Sequence, residues 1–97
     1  MAYEIRFASS AKRHLQEFTA GERGEIVAAI EKQLSHEPLV QTRNRKRLRP
    51  NPIAPWELRV RTIRVFYEVD KPGVVTVLAI GAKRGNRLYI EGEEMEL

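Results

Sequence analysis

The segment at residues 74–80 has the sequence VVTVLAI and is apolar on both faces of an extended chain. A strand with one face in water alternates between apolar and polar residues, whereas a strand in the middle of a sheet is apolar at almost every position. Gly81 follows directly, and we expect it to end the strand. The segment therefore predicts a central strand around which the rest of the domain is built.

Two segments with alternating side chains precede this strand. Apolar residues alternate with Glu and Arg over residues 56–61, and over residues 63–69 they alternate with Arg64, Phe66 and Glu68. This period of two is typical of half-buried strands, and a tight turn at residues 61–62 would join the two into a hairpin. The sequence DKPG at residues 70–73 predicts a second turn before the central strand. We interpret Trp56 and Tyr67 as core residues because they lie on the apolar faces.

Two helices are predicted nearer the N-terminus. The first covers residues 10–18, with the serine pair at 9–10 as its N-cap, because a serine oxygen accepts from the unpaired N–H groups of the first turn. The second begins at Thr19, which forms a capping box with Glu22. An apolar stripe follows, and the second helix is expected to end near His36 because a proline lies two residues further on.

The predicted fold is α+β. An alternating strand at residues 3–7 precedes the helices, so the order is β-α-α-β-β-β with a short C-terminal tail. We expect the helical hairpin to pack on one face of a mostly antiparallel four-stranded sheet, since each helix has one apolar stripe to bury. The 97 residues fit a single domain, 1–97. Without a signal pattern or an apolar run long enough to span a bilayer, we expect a cytoplasmic protein.

The charge distribution points to a polyanionic partner. The net charge is +4, yet residues 41–64 contain eight basic residues and one acidic residue. Such a cluster binds nucleic acid or an acidic protein surface, or it is a solvated loop that keeps the protein soluble. The acidic residues concentrate instead at the C-terminus. We name as candidate RNA-binding residues Arg43, Arg45, Lys46, Arg47, Arg49, Arg61 and Arg84.

Several catalytic classes have no residues to support them. The chain has no cysteine, so it has neither a thiolate nucleophile nor a disulfide framework. His14 and His36 are both expected on the surface of the helical hairpin. The carboxylates near the strands, Glu57, Glu68 and Asp70, stand among arginines, so we predict no metal site and no cofactor.

The chain resembles the RelE/ParE superfamily of bacterial toxins, which belong to type II toxin–antitoxin modules. The resemblance extends over almost the whole length, and no single motif carries it. The segments in question are MAYEIRF at 1–7, RNRKRLRP at 43–50, PWELRV at 55–60, IRVFYEV at 63–69, IGAKR at 80–84, and Tyr89. RelE-type members cleave messenger RNA in the ribosomal decoding site: the ribose 2′-oxygen attacks the adjacent phosphate without a metal. ParE-type members share the fold but inhibit DNA gyrase.

The resemblance implies a catalytic set for an endoribonuclease. Arg64 matches an arginine on the third strand, and Arg59 matches the second of two basic residues on the strand before it. Tyr89 matches a tyrosine eight places past the glycine of the central strand and would accept the 2′-proton. Lys83 matches a basic position in charge but not in type. Glu57 stands where the family has a basic residue, and it would act as a base or orient Arg59 through an ion pair.

The resemblance also implies partners and leaves alternatives open. A cognate antitoxin, the ribosome and messenger RNA are the expected partners, in a toxin–antitoxin hetero-oligomer without a membrane. The alternatives are a ParE-like inhibitor of gyrase, or an inactive relative that binds RNA or its antitoxin. On those alternatives Tyr89 packs between Leu88 and Ile90, and Arg64 is an ion-pair partner of Glu57 or Glu68.

Overall fold

The computed structural model describes residues 2–70 and 73–97. The helices are α1 (Ser9–Leu15) and α2 (Ala20–Leu34). The described part of the chain forms seven strands: β1 (Glu4–Phe7), β2 (Arg45–Arg47), β3 (Trp56–Val60), β4 (Ile63–Asp70), β5 (Val74–Arg84), β6 (Arg87–Ile90) and β7 (Glu93–Met95). The predicted α+β class, with two helices and a mostly antiparallel sheet, is confirmed, whereas the predicted count of four strands is wrong.

The three additional strands lie where the sequence predicted a loop and a tail. β2 forms inside the basic segment because its three residues pair with β3. β6 and β7 form a hairpin around Glu91 and Gly92, whose φ angles are 53° and 79°. Two positive φ angles are those of a type I′ turn, which suits the twist of a two-residue hairpin. Such short strands are stabilised by their neighbours rather than by a periodicity of their own.

β5 is the central strand of the sheet, as predicted. β4 pairs with it in antiparallel register along one edge. The other edge is shared by β1, which is parallel to residues 74–77, and by β6, which is antiparallel to residues 82–84. Between the parts of β5 that pair with β1 and β6, two side chains of α1 form hydrogen bonds to the β5 backbone. The Ser10 hydroxyl donates to the Leu78 carbonyl at 2.8 Å, and the Ile80 N–H donates to His14 Nδ1 at 3.1 Å.

Gly81 lies within β5, so the prediction that it ends the strand is wrong. A Cβ atom at this position would lie 2.5 Å from the Tyr89 carbonyl oxygen and 2.7 Å from Ile90 Cγ1. The glycine is therefore needed for the close approach of β6. The predicted turn at residues 70–73 includes Lys71 and Pro72, which lie outside the described residues. The predicted turn at residues 61–62 is confirmed, and it joins β3 to β4.

The helix termini follow the sequence in part. The capping box is confirmed: the Thr19 N–H donates to Glu22 Oε1 at 2.9 Å, and the Glu22 N–H donates to Thr19 Oγ1 at 3.2 Å. The prediction of a serine N-cap for α1 is wrong, because Ala8 occupies the cap and the Ser10 hydroxyl is engaged with β5. α1 also ends at Leu15 rather than at residue 18.

The main core lies between the helices and one face of the sheet. The predicted core positions of Trp56 and Tyr67 are confirmed, and their rings stack with centroids 6.0 Å apart. The Tyr67 hydroxyl donates to the Pro38 carbonyl at 2.6 Å, which ties the segment after α2 to β4. Buried apolar residues fill the space between α2 and the sheet, namely Ile26, Ile30, Leu34, Leu58, Val65, Val75 and Val77.

The face of the sheet turned away from this core, which we call the second face, is covered at its centre. Residues 48–55, the cover loop, place Ala54 and Ile53 over a smaller apolar cluster with Phe66, Ala79, Leu88 and Ile90. The Asn51 side chain holds the loop in shape, because its oxygen accepts from the N–H groups of Ile53 and Ala54. Only the parts of the second face that flank the cover loop can bind a large ligand.

Candidate functional site

Three cations lie in a row on the second face, close to the β3–β4 turn and the β5–β6 turn. Arg59 is the direct cross-strand neighbour of Arg64, and Arg64 is opposite Gly81. Lys83 lies two residues beyond Gly81 and therefore on the same face. Directly opposed side chains have Cβ atoms about 4.5–5.5 Å apart. Arg59, Arg64 and Lys83, which we call the cationic row, are thus brought together by the sheet register.

Glu57 lies beneath this row as a buried carboxylate. Its residue is 4% exposed, and Oε2 is 3.5 Å from Arg59 Nε and 3.8 Å from Arg64 Nε. A buried carboxylate needs compensating cations, and both arginines supply that compensation. This geometry fits the predicted ion pair of Glu57 with Arg59 and, of the two partners predicted for Arg64, it favours Glu57. It leaves the cationic row with a surplus of positive charge.

Arg64 is held in place by backbone oxygens. Its Nη1 donates to the carbonyls of Arg61, at 2.7 Å, and Ile63, at 3.1 Å. Its Nε is buried and has no hydrogen-bond acceptor among the described residues. Burial lowers the pKa of Arg64, the neighbouring Glu57 raises it, and Arg59 lowers it further. Because an arginine remains protonated at neutral pH, the site contains a partly desolvated cation whose buried Nε has no acceptor of its own.

Tyr89 does not join the cationic row. It pairs with Ala82, which pairs with the core residue Ile63, so its side chain lies on the helix side of the sheet. The guanidinium of Arg84 lies 5.5 Å from the centre of its ring. The flanking Leu88 belongs to the cluster on the second face, so the predicted packing of Tyr89 against its sequence neighbours is wrong. The sheet register therefore divides the predicted catalytic set between two faces.

The basic residues at positions 43–49 also differ in their surroundings. Arg45 is buried, and its guanidinium donates to the carbonyls of Val40, at 2.9 Å, and Gln33, at 2.8 Å. This side chain ties β2 to the end of α2, so Arg45 is corrected from an RNA-binding candidate to a structural residue. Arg47 lies over the Trp56 ring, with its guanidinium carbon 5.9 Å from the ring centre.

The remaining candidates of the basic set are exposed. Arg61, in the turn between β3 and β4, forms an ion pair with Glu25 at 2.7 Å. An exposed ion pair contributes little free energy, so this contact leaves Arg61 able to bind another anion. The other exposed side chains are those of Arg43, Lys46, Arg49 and Arg84. Of these, Lys46 pairs with Glu57 in the register of β2 and β3 and therefore extends the cationic row.

His14 is the residue that sequence reasoning placed wrongly. It is buried rather than on the surface, while His36 is exposed as predicted. Its Nδ1 accepts from the Ile80 N–H, and its Nε2 is 3.0 Å from Glu91 Oε1. An imidazole that accepts at Nδ1 carries its proton at Nε2, so it donates to Glu91. Its partners lie 66 and 77 positions away, and no local pattern signals them.

Glu91 is the acidic partner in this contact. Arg13 donates to both of its carboxylate oxygens, at 3.1 to 3.2 Å. This hydrogen bond lowers the pKa of Glu91, burial raises it, and the charge of Arg13 and the hydrogen bond from His14 lower it further. The β6–β7 turn is thereby fastened to α1.

Neither a metal cluster nor a membrane-spanning segment occurs in the described part of the chain. Among residues 2–70 and 73–97, no group of three or more His, Asp or Glu side chains is placed to hold a metal ion. None of the helices in these ranges is long and apolar enough to cross a membrane.

The comparisons with known proteins rest on structure. No protein-family model matches the sequence, and no curated protein is similar enough to count as a relative. A chain of the toxin–antitoxin complex RelBE2 from Mycobacterium tuberculosis superimposes on this chain with a TM-score of 0.74 and 27% sequence identity. The match covers 86% of this chain and 93% of that chain. The predicted resemblance to the RelE/ParE superfamily is thereby confirmed.

Proposed function

Because the chain has the fold of a RelE-like toxin, we propose that it is the cytoplasmic toxin of a type II toxin–antitoxin module and cleaves messenger RNA on the ribosome. The observation that carries this proposal is the cationic row, with Arg59, Arg64 and Lys83 on adjacent strands of one face. The neighbour of similar structure comes from a toxin–antitoxin complex. The partners proposed for this chain are therefore an antitoxin, the ribosome and messenger RNA.

The cationic row suits the charge that develops when a phosphodiester is cleaved. Attack by the 2′-oxygen places additional negative charge on the phosphate oxygens, and preorganised cations in a partly buried site stabilise that charge. A guanidinium fits two phosphate oxygens at once. In this proposal Arg64 binds the phosphate, Arg59 and Lys83 flank it, and Glu57 positions the two guanidinium groups.

Tyr89 enters the reaction only if the RNA passes over the end of the sheet. Lys83 and Arg84 are adjacent in sequence but point to opposite faces, next to the β5–β6 turn. An RNA strand crossing this turn would contact the cationic row on one side and the Arg84–Tyr89 pair on the other. On this path Tyr89, as a phenolate, accepts the 2′-proton while the bond from phosphorus to the 5′-oxygen breaks, and the leaving 5′-oxygen takes a proton from water. A general base typically contributes about 10²–10⁴-fold.

The separation of Tyr89 from the cationic row favours a second candidate function. A ParE-like inhibitor of gyrase, or an inactive relative that binds RNA or antitoxin, needs no convergence of a proton acceptor with phosphate-binding groups. Glu57 also neutralises part of the positive charge of the row, which weakens phosphate binding.

Primer extension on a translated reporter messenger RNA, after induction of the chain, tests the proposal. We expect cuts confined to the translated reading frame. The Arg64→Ala variant should cleave at least about 10²-fold more slowly than the wild type, since removal of one preorganised donor costs roughly 2.7–4 kcal/mol of transition-state stabilisation. Lys12→Ala, on the exposed side of α1, is the matched control and should cleave normally. Tyr89→Phe tests the path over the sheet end. Intact RNA together with halted DNA replication would select the gyrase inhibitor.

A further inference from the structure

The turn that joins β3 to β4 contains a residue in an unfavourable backbone conformation. Arg61 has a φ angle of 59°, and among the described residues Glu91 is the one other non-glycine residue with a positive φ. Val60 pairs with Ile63, so Arg61 is the first residue of a two-residue loop. Such loops favour glycine, asparagine or aspartate at this position, because a larger side chain is sterically disfavoured at positive φ. An arginine persists in this conformation only where the surrounding contacts require it.

The backbone of the turn, rather than the Arg61 side chain, makes those contacts. The side chain is exposed and forms an ion pair with Glu25, which contributes little free energy at such a position. The Arg61 carbonyl, in contrast, accepts from Arg64 Nη1 at 2.7 Å. The next carbonyl, that of Thr62, accepts from the Lys83 N–H at 2.7 Å. Two adjacent carbonyls of one turn therefore hold two members of the cationic row.

The turn also determines which nitrogen of Arg64 can reach a ligand. Nη1 has two N–H groups, and it donates to two carbonyls, those of Arg61 and Ile63. Nε is buried and lies 3.8 Å from Glu57 Oε2. Nη2 has no acceptor among the described residues, and Nε is the one buried side-chain nitrogen there without a partner, so Nη2 reaches solvent. An anion that approaches Arg64 consequently meets Nη2.

We propose that Arg61 is a positioning residue whose left-handed backbone holds Arg64 Nη1 on the turn and directs Nη2 to the phosphate of the RNA. This inference rests on the proposed function for the identity of the anion. It assigns a role to the backbone at position 61 that is independent of the charge of its side chain. Because the guanidinium is already ordered, it stabilises the developing phosphate charge without first having to be oriented.

Two substitutions of Arg61 separate the backbone from the side chain. Arg61→Asn and Arg61→Val both remove the guanidinium and its ion pair with Glu25, so they lose the same charge. Asparagine tolerates the left-handed region, whereas the β-branched valine does not. We expect Arg61→Val to cleave the translated reporter at least about tenfold more slowly than Arg61→Asn, since a misplacement of 1 Å can cost about 10²-fold. Equal cleavage rates of the two variants would overturn the proposal.

Nitrogen NMR of the Arg64 guanidinium measures the positioning directly, without RNA. Two hydrogen bonds to Nη1 hinder rotation of the guanidinium, so Nη1 and Nη2 should give separate signals in the wild type and in Arg61→Asn. The signals should merge in Arg61→Val. Glu25→Gln removes the ion pair with the Arg61 side chain and leaves the turn unchanged, so it should retain both signals.

A titration of the wild-type protein with inorganic phosphate keeps the test independent of whether the valine variant folds. We expect phosphate to shift the Nη2 signal more than the Nη1 signal. A single averaged signal in the wild type, or a larger shift of Nη1, would overturn the positioning of Arg64. Separate signals in a protein that leaves translated RNA intact would instead refute the proposed function and leave the role of the turn in place.

Discussion

Replacing Gly81 by alanine should destabilise the domain. The added Cβ would lie 2.5 Å from the Tyr89 carbonyl oxygen, 2.7 Å from Ile90 Cγ1 and 3.2 Å from Leu88 Cδ1. Favourable carbon contacts are about 3.5–4.0 Å long, so β6 has to move away from β5. The nearest atom belongs to the backbone, and a rotamer change cannot relieve the contact.

The expected size of the effect follows from overpacking in other cores. Forcing extra methyl groups into a packed interior costs about 1–3 kcal/mol of unfolding free energy. Each kcal/mol lowers the Tm of a domain of 60–100 residues by about 4–8 °C, and this chain has 97 residues. We therefore expect thermal denaturation of Gly81→Ala, followed by circular dichroism, to show a Tm lower by about 4–24 °C.

Gly24→Ala is the matched control. No atom lies within 4 Å of a Cβ at Gly24, which is an exposed position inside α2. Alanine in a helix interior is more stable than glycine by roughly 0.5–1 kcal/mol, so the same substitution should raise the Tm here. A Gly81→Ala variant as stable as the wild type would refute the close approach of β5 and β6.

Three further predictions follow from the site. Arg45→Ala should lower the Tm, because the backbone carbonyls that accept from this buried guanidinium would lose their hydrogen-bond donor. Arg49→Ala, at an exposed position, should leave the Tm unchanged, and calorimetry of the two variants makes the comparison. The double variant Lys46→Glu/Arg49→Glu should bind the ribosome more weakly, and its affinity should depend less on salt. In a filter-binding assay, the slope of log affinity against log salt concentration should be smaller by about 0.7–0.9 for each lost phosphate contact. Glu91 has a lowered pKa, so its contribution to stability is present at neutral pH and is lost as the pH falls through that pKa. Because Arg13 is the main cause of the lowering, NMR of the carboxyl group should show a higher Glu91 pKa in the Arg13→Ala variant.

The local elements of the fold could be predicted because their causes are local. The capping box at Thr19 needs only a partner three residues away, and it forms as the sequence indicates. The alternation in β3 and β4 likewise sets which side chains face the core, so Trp56 and Tyr67 were placed correctly. The fold class follows from these patterns, since two amphipathic helices and alternating strands have few ways to bury their apolar faces together.

The arrangement of the site was decided by the tertiary structure. The alternation of β3 and β4 places Arg59 and Arg64 on one face, but only the register with β5 adds Lys83 to them. The same register sends Tyr89 to the other face, which no spacing along the chain predicts, because the face of a residue on β6 depends on how that strand pairs.

Burial of charge was also settled only in three dimensions. Arg45 stands in a run of exposed cations, yet it is buried because the end of α2 and the segment after it offer carbonyls at hydrogen-bonding distance. His14 is buried because neither β1 nor β6 reaches Ile80 on their edge of β5, and the imidazole accepts the hydrogen bond of the Ile80 N–H there. The sequence by itself determined the period and polarity of each element. Which polar groups meet was determined by contacts between residues far apart in the chain, where a buried donor or acceptor must find its partner.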